Sequence, residues 1–127
     1  MTGGPLELAR ESLVAQAGGA VTAVEAAALL GRITHRAVED RRERGTLLAV
    51  NLNGKYRYPT FQFEQVAVLD GLPAVLKSFT ARNGWTQLSV LMSQHDALDG
   101  RSVVDALKVG DIDAAVGVAS TFGDTGG

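Results

Sequence analysis

The chain has 127 residues, 46% of them hydrophobic and 20% charged, with no cysteine and a formal net charge of −2. That length supports one core or two very small ones sharing an interface, and the lack of cysteine excludes a disulfide framework and any thiolate metal site. No apolar run approaches the roughly 18 residues of a membrane span, and no basic amino-terminal region leads into an apolar stretch and a cleavage site, so a cytoplasmic protein with no membrane partner is expected.

The small net charge conceals an uneven distribution. Residues 32–57 hold seven Lys or Arg against three acids, an excess of +4, which leaves −6 on the remainder. A basic segment joined to an acidic one suits a module that meets nucleic acid followed by a module with a different partner.

The ends, MTGG and GDTGG, have nothing to bury and are expected to fray. Residues 5–17, PLELARESLVAQA, read as a helix with Pro5 in its first turn and Leu6, Leu13 and Val14 on an apolar side, closed by Gly18 and Gly19. In VTAVEAAALLG, Thr22 is an N-cap and Glu25, three residues on, completes a capping box, so a helix runs from about Ala23 to Leu30. Gly31 stops it and Thr34 caps the next helix, THRAVEDRRERG. Two helices joined by about three residues have the spacing of a helix-turn-helix.

At about 100° per residue, Thr34, Ala37, Val38 and the stem of Arg41 form the inner side of that charged helix. His35, Glu39 and Arg42 share one flank, and Arg36, Asp40 and Arg44 make an i, i+4 ladder of opposite charge on the other. After Gly45 the period changes. Leu47, Leu48 and Val50 lead to the turn NLNG at 51–54, and KYRYPTFQF follows as the second arm of a hairpin. Pro59 either confines that arm to an edge or ends it.

From about Val66 helical signals return in four short segments: LPAVLKSFTA, GWTQLSVLM, RSVVDALKVG and DIDAAVGVASTFG. Trp85, Leu88 and Leu91 or Met92 fall on one face, and Val104, Leu107 and Lys108 are spaced likewise. Ser102 is placed to cap the third segment, Gly110 to close it and Asp111 to open the last. The fold class expected is mainly α with a small β-hairpin: a winged helix-turn-helix followed by a small helical domain. Residues 1–20 would be the N-terminal helix and its frayed end, 21–65 the DNA-binding module, and 66–127 the partner-binding domain.

In such a module the charged helix and the hairpin touch adjoining parts of a duplex. His35, Arg36, Glu39 and Arg42 are the candidates for base edges, with Arg or His donating to guanine and Glu accepting from cytosine. Arg41, Arg44, Lys55 and Arg57 are the candidates for phosphates. Against this stands a plainer possibility, because Glu39 and Glu43 near the outward face would meet phosphates unfavourably and the ladder satisfies charge within the helix. The helix would then be a solvated surface, or a helix-turn-helix kept for dimerisation or packing.

Catalysis finds no footing in the sequence. His95 beside Asp96 reads as a solvated loop rather than half of a triad, and no G-x-S-x-G, HExxH or phosphate-loop pattern is present. No catalytic residue, metal or cofactor is expected, and the chain is read as a non-enzyme.

Residues 21 to about 63, with VTAVEAAALLG ahead of a charged helix, a Gly-Thr-Leu-Leu strand and a basic wing, resemble the small MerR-like and excisionase-like winged helices. Residues 84 to about 122 resemble the toxin-binding domain shared by antitoxins of the Xre/MbcA/ParS type. The matching positions are Trp85, Leu91, Leu98, Gly100, Ser102, Asp105, Leu107 and Gly110. The chain departs from that family in having Val103 where a proline is common after the capping serine, and a winged element where many members carry a longer repressor-type domain. The resemblance implies a type II antitoxin that neutralises a toxin, often of the NAD-consuming RES family, and represses its own operator as a homodimer. Asp111 and Asp113 would then offer an acidic face to a basic toxin cleft. A free-standing regulator of the MerR or excisionase kind, or an interaction adaptor whose helix-turn-helix no longer binds DNA, are the alternatives.

Overall fold

A computed structural model describes residues 5–122. The fraying expected of MTGG and GDTGG lies outside the described residues. Among the described residues helix predominates over strand, and the strands form three small sheets of two or three members.

The first helix, α1 (Pro5–Gln16), buries its apolar side only toward its C-terminal end. Leu13 and Val14 pack on the core and Ala17 is buried just beyond, whereas Leu6, expected on the same side, is exposed along with Leu8. The contact begins with Arg10, whose guanidinium lies 4.9 Å from the Trp85 ring centre. The next strand, β1 (Ala20–Val21), has no signature in the sequence, because two residues carry no period.

The helix α2 (Ala23–Leu29) begins with the expected box. The Thr22 hydroxyl accepts from the Glu25 N–H at 3.1 Å, and the Glu25 carboxylate accepts from the Thr22 N–H at 2.9 Å. Thr34 likewise caps α3 (His35–Glu43), accepting from the Ala37 N–H at 3.0 Å. Ala26 and Ala27, being small, let the two helices approach closely over Leu30 and Val38.

The hairpin pairs β2 (Val50–Leu52) with β3 (Lys55–Pro59) across a two-residue turn, Asn53-Gly54. Both turn residues have positive φ, 55° and 85°, the type I′ geometry that matches strand twist and selects Asn-Gly. The Asn51 carboxamide oxygen accepts from the Gly54 N–H at 2.9 Å and fastens the turn. On the other side of β3 lies β1, with Ala20 opposite Pro59 and Val21 opposite Tyr58. The second arm is therefore the central strand of three, not an edge. Pro59 acts as the terminator, the other role open to it, and a tight turn at residues 60–62 follows.

Two short strands, β4 (Phe63–Glu64) and β5 (Ala67–Val68), come next. The division expected between residues 65 and 66 falls in the turn that joins them. Helix resumes at α4 (Leu72–Ser78) and α5 (Gly84–Met92). A small pairing of β6 (Gln94–His95) with β7 (Arg101–Ser102) then replaces what the sequence offered as loop and helix start. The chain finishes with α6 (Val103–Lys108) and α7 (Ile112–Ala119). Ser102 caps α6, accepting from the Asp105 N–H at 3.0 Å. Asp111 sits at the N-cap of α7, but its side chain makes no capping bond.

Apolar side chains divide into two clusters. A smaller one holds Ala26, Ala27, Leu30, Val38, Leu47 and Tyr58 between α2, α3 and the sheet. The larger one lies among α4, α5, α6 and α7, and includes Trp85, Leu88, Leu91 and Leu107, the positions expected in the core. It also takes Ala17, Leu48 and Val50 from the front of the chain. Alternation along the segment 47–50 is the cause: Leu47 and Ala49 face the smaller cluster while Leu48 and Val50 face the larger.

Candidate nucleic-acid interface

The geometry of the interface begins with the faces of α3. Val38 is fully buried, which fixes the helix against α2 and β3. His35 and Arg36 in the first turn are exposed, as are Asp40, Glu43 and Arg44, whereas Glu39 and Arg42 are half-buried on the side toward the hairpin. Of the four candidates for base edges, His35 and Arg36 are thus presented outward, Glu39 is half-buried, and Arg42 is engaged with Tyr56 of β3.

Arg42 is held by aromatic packing. Its guanidinium lies 4.0 Å from the Tyr56 ring centre, and its side chain is 22% exposed. The nearest Glu43 oxygen is 3.6 Å away, too long for a hydrogen bond, and Arg42 Nε is buried with no partner. Beneath it, burial raises the Tyr58 phenol above its ordinary pKa; Arg42 opposes that shift and Glu39 adds to it. Glu25, by contrast, is held below the usual carboxylate range, first by the Thr22 N–H, then by the Thr22 hydroxyl.

The four candidates for phosphates do not share a surface. Arg44 is exposed at the end of α3. Arg41 turns the other way and lines a groove of about 340 Å³ with Leu30, Thr46, Val66 and Pro73. On β3, alternation puts Tyr56 and Tyr58 on the α3 side, so Lys55 and Arg57 project from the opposite face of the sheet. Arg57 donates to the Tyr56 carbonyl at 3.0 Å, and Lys55 stands exposed beside the turn. Arg36, Asp40 and Arg44, expected as a ladder, form no ion pair within 4.0 Å among the described residues. Exposed side chains in water gain too little from such pairing to be held in one geometry.

Tyr56 belongs to the hairpin arm with Lys55 and Arg57 but was not among the expected contact residues. It is 46% exposed and organises Arg42, and the period of two in KYRYP already placed it on the face of Tyr58. At the other end of the molecule, Asp111 is bound to Arg101 at 2.8 Å, with Arg101 Nε donating to the Leu98 carbonyl at 2.9 Å. Asp113 is exposed in the first turn of α7. Of the two acids expected to face a partner, one is therefore already paired.

Among the described residues no group of three or more His, Asp or Glu is placed to hold a metal ion, and no helix is long and apolar enough to cross a membrane. No protein-family model matches the chain, and comparison with curated proteins and with solved structures returns no match.

Proposed function

We propose that the chain is a DNA-binding antitoxin that represses its own operator, with a winged helix-turn-helix in front and a toxin-binding helical part behind. The observation that carries the DNA half is the succession of α2, a tight turn, α3 and the β2–β3 hairpin, with His35 and Arg36 exposed on the helix and Lys55 beside the hairpin turn. A helix held by its neighbour with polar N-terminal residues outward is the geometry that enters a major groove, and the hairpin, with Lys55 beside its turn on the face away from α3, is the element that would reach the adjoining backbone. The resemblance of residues 84–122 to the Xre/MbcA/ParS domain supports the toxin half, with a RES-type enzyme as the proposed target and Asp113 as the free acid of the contact. A homodimer follows from the two-fold symmetry usual in operators.

The engagement of Arg42 with Tyr56 favours a second reading, an interaction adaptor, because it removes one cation from the outward face of α3 and leaves Asp40 and Glu43 there. Binding of the full chain to the DNA upstream of its own reading frame, measured against salt, separates the two. Antitoxin function predicts a falling log–log salt dependence and a shallower slope after Arg36→Ala with Lys55→Ala, by about one counterion for each phosphate that is no longer neutralised. Affinity and slope unchanged in the double variant would reject this docking, and no binding at moderate salt would favour the adaptor. Co-purification of a small protein that is toxic when expressed alone tests the other half.

A further inference from the structure

Two hairpins in the chain turn on a pair of residues with positive φ, and they fill that pair differently. Between β2 and β3 stand Asn53 and Gly54, which such a turn selects. Between β4 and β5 stand Gln65 and Val66, at φ 50° and 59°. A β-branched residue is strained in that conformation, because its Cβ crowds the backbone. Packing within the chain does not offset the strain, since Val66 is 68% exposed. A strained residue with its apolar side chain turned outward points to a contact made beyond the chain itself.

Val66 stands at the rim of the groove of about 340 Å³ into which Arg41 turns. The other walls include Leu30 at the end of α2, Ala67 and Val68 of β5, and Pro73 of α4, all apolar. Glu64 is the cross-strand partner of Ala67, so its side chain leaves the hairpin on the face that borders the groove. Among the described residues neither Arg41 nor Glu64 is in an ion pair within 4.0 Å. One patch therefore carries an apolar knob, an apolar groove, a cation and an anion. Such a patch is complementary to itself. Under a two-fold axis residue i meets j while j meets i. An axis beside Val66 would set each valine at the mouth of the other copy's groove, and each Glu64 against the other copy's Arg41. An unrelated partner would have to match both charges and both shapes in order, which a second copy does by symmetry.

We propose that the β4–β5 turn and the groove behind it form the surface through which two copies of this chain pair. Burial of Val66 against the partner offsets the strain of its backbone, and the Arg41–Glu64 pairs fix the register. His35, Arg36 and Lys55 lie outside the groove, so pairing leaves them exposed. The proposal rests on the homodimer of the reading above and on neither its DNA nor its toxin contact.

Sedimentation equilibrium of the full chain over a range of concentrations, without DNA, tests it. The expected result is a reversible monomer–dimer equilibrium whose dissociation constant rises about tenfold or more in Val66→Gly. Glycine adopts positive φ freely, so this variant keeps the fold, and its stability in urea should equal or exceed that of wild type. Arg41→Glu and Glu64→Arg should each weaken the dimer by setting like charges across the axis, and the two together should restore it. A monomer at every concentration overturns the proposal together with the homodimer. A dimer indifferent to Val66→Gly and to both charge reversals overturns this surface alone and leaves the homodimer to form elsewhere. Weakening by Val66→Gly with no recovery in the doubly reversed chain overturns the two-fold arrangement. Dimerisation as expected in a chain that binds no operator DNA upholds this surface and removes the DNA half of the reading above.

Discussion

Gln62 does with its side chain what another strand residue would do with its backbone. Fully buried, its carboxamide accepts from the Leu48 N–H and donates to the Leu48 and Pro59 carbonyls, each at 2.9 Å. Replacing it with leucine takes the carboxamide away from the Leu48 N–H and carbonyl in a buried site, so Gln62→Leu is expected to cost about 2 kcal/mol in urea denaturation. Gln62→Glu is expected to cost more, because it loses both donors and buries a carboxylate. A leucine variant within about 0.5 kcal/mol of wild type, the range of ordinary surface changes, would show that the carboxamide does not hold this bend. Tyr58 gives a pH signature at the same scale. Since burial raises its pKa in the fold, the folded chain retains its proton after the unfolded chain has released it. This contribution is complete below the unfolded value of about 10 and is lost as pH rises through the higher folded one. Stability measured from pH 8 upward should therefore fall more steeply in wild type than in Tyr58→Phe, and parallel curves would refute the assignment. Neither residue was legible in the sequence. Gln62 between two phenylalanines reads as the outward position of an alternating strand, and only the turn after Pro59 reverses it.

At the scale of elements, α2 and α3 owe their starts to local chemistry, which makes them the easiest parts to perturb cleanly. Thr22→Ala and Thr34→Ala each remove an N-cap acceptor and are expected to cost about 1 kcal/mol, with separate effects because the caps share no partner. A loss near zero at either site would mean that water replaces the hydroxyl. Glu25 should add an acid signature: its lowered pKa contributes stability above its ordinary value that is lost as pH falls through the folded one, and Glu25→Gln should flatten that limb. Caps, glycine stops and the Asn-Gly turn act over three or four residues, and this is why both helices, the hairpin and the helical character of the second half were legible in the sequence. The strands β1, β4, β5, β6 and β7 were not, since each has two residues and exists only through its partner. The candidate interface divides the same way. The outward position of His35 and Arg36 follows from helical period, but the stacking of Arg42 on Tyr56 and the separation of Lys55 and Arg57 from α3 depend on which face of the sheet that helix covers. Tertiary packing makes that choice.

The two apolar clusters meet along the segment 47–50 and at Val68, which packs against both. The segment 47–50 sends alternate side chains into both apolar clusters, and the Trp85 indole N–H donates to the Asn51 carbonyl at 3.1 Å. At the start of α5, Gly84 lies so close to the Ala49 carbonyl that an added Cβ would collide with backbone, which has no rotamer by which to yield. Gly84→Ala is therefore expected to push α5 away from β2 and to cost about 1–3 kcal/mol, the range for forcing an extra carbon into a packed site. The consequence should not stay in the second half. Leu48 and Val50 pack in the larger cluster, while Leu47 beside them packs in the smaller, so neither cluster is complete without this segment. Trp85 fluorescence reports the junction and far-UV circular dichroism reports all helices; their transitions should coincide in wild type and move together in Gly84→Ala. If the fluorescence transition moved to lower denaturant while the helical signal stayed in place, the two parts would be folding separately. The shared segment would then be a contact between domains rather than part of a common core.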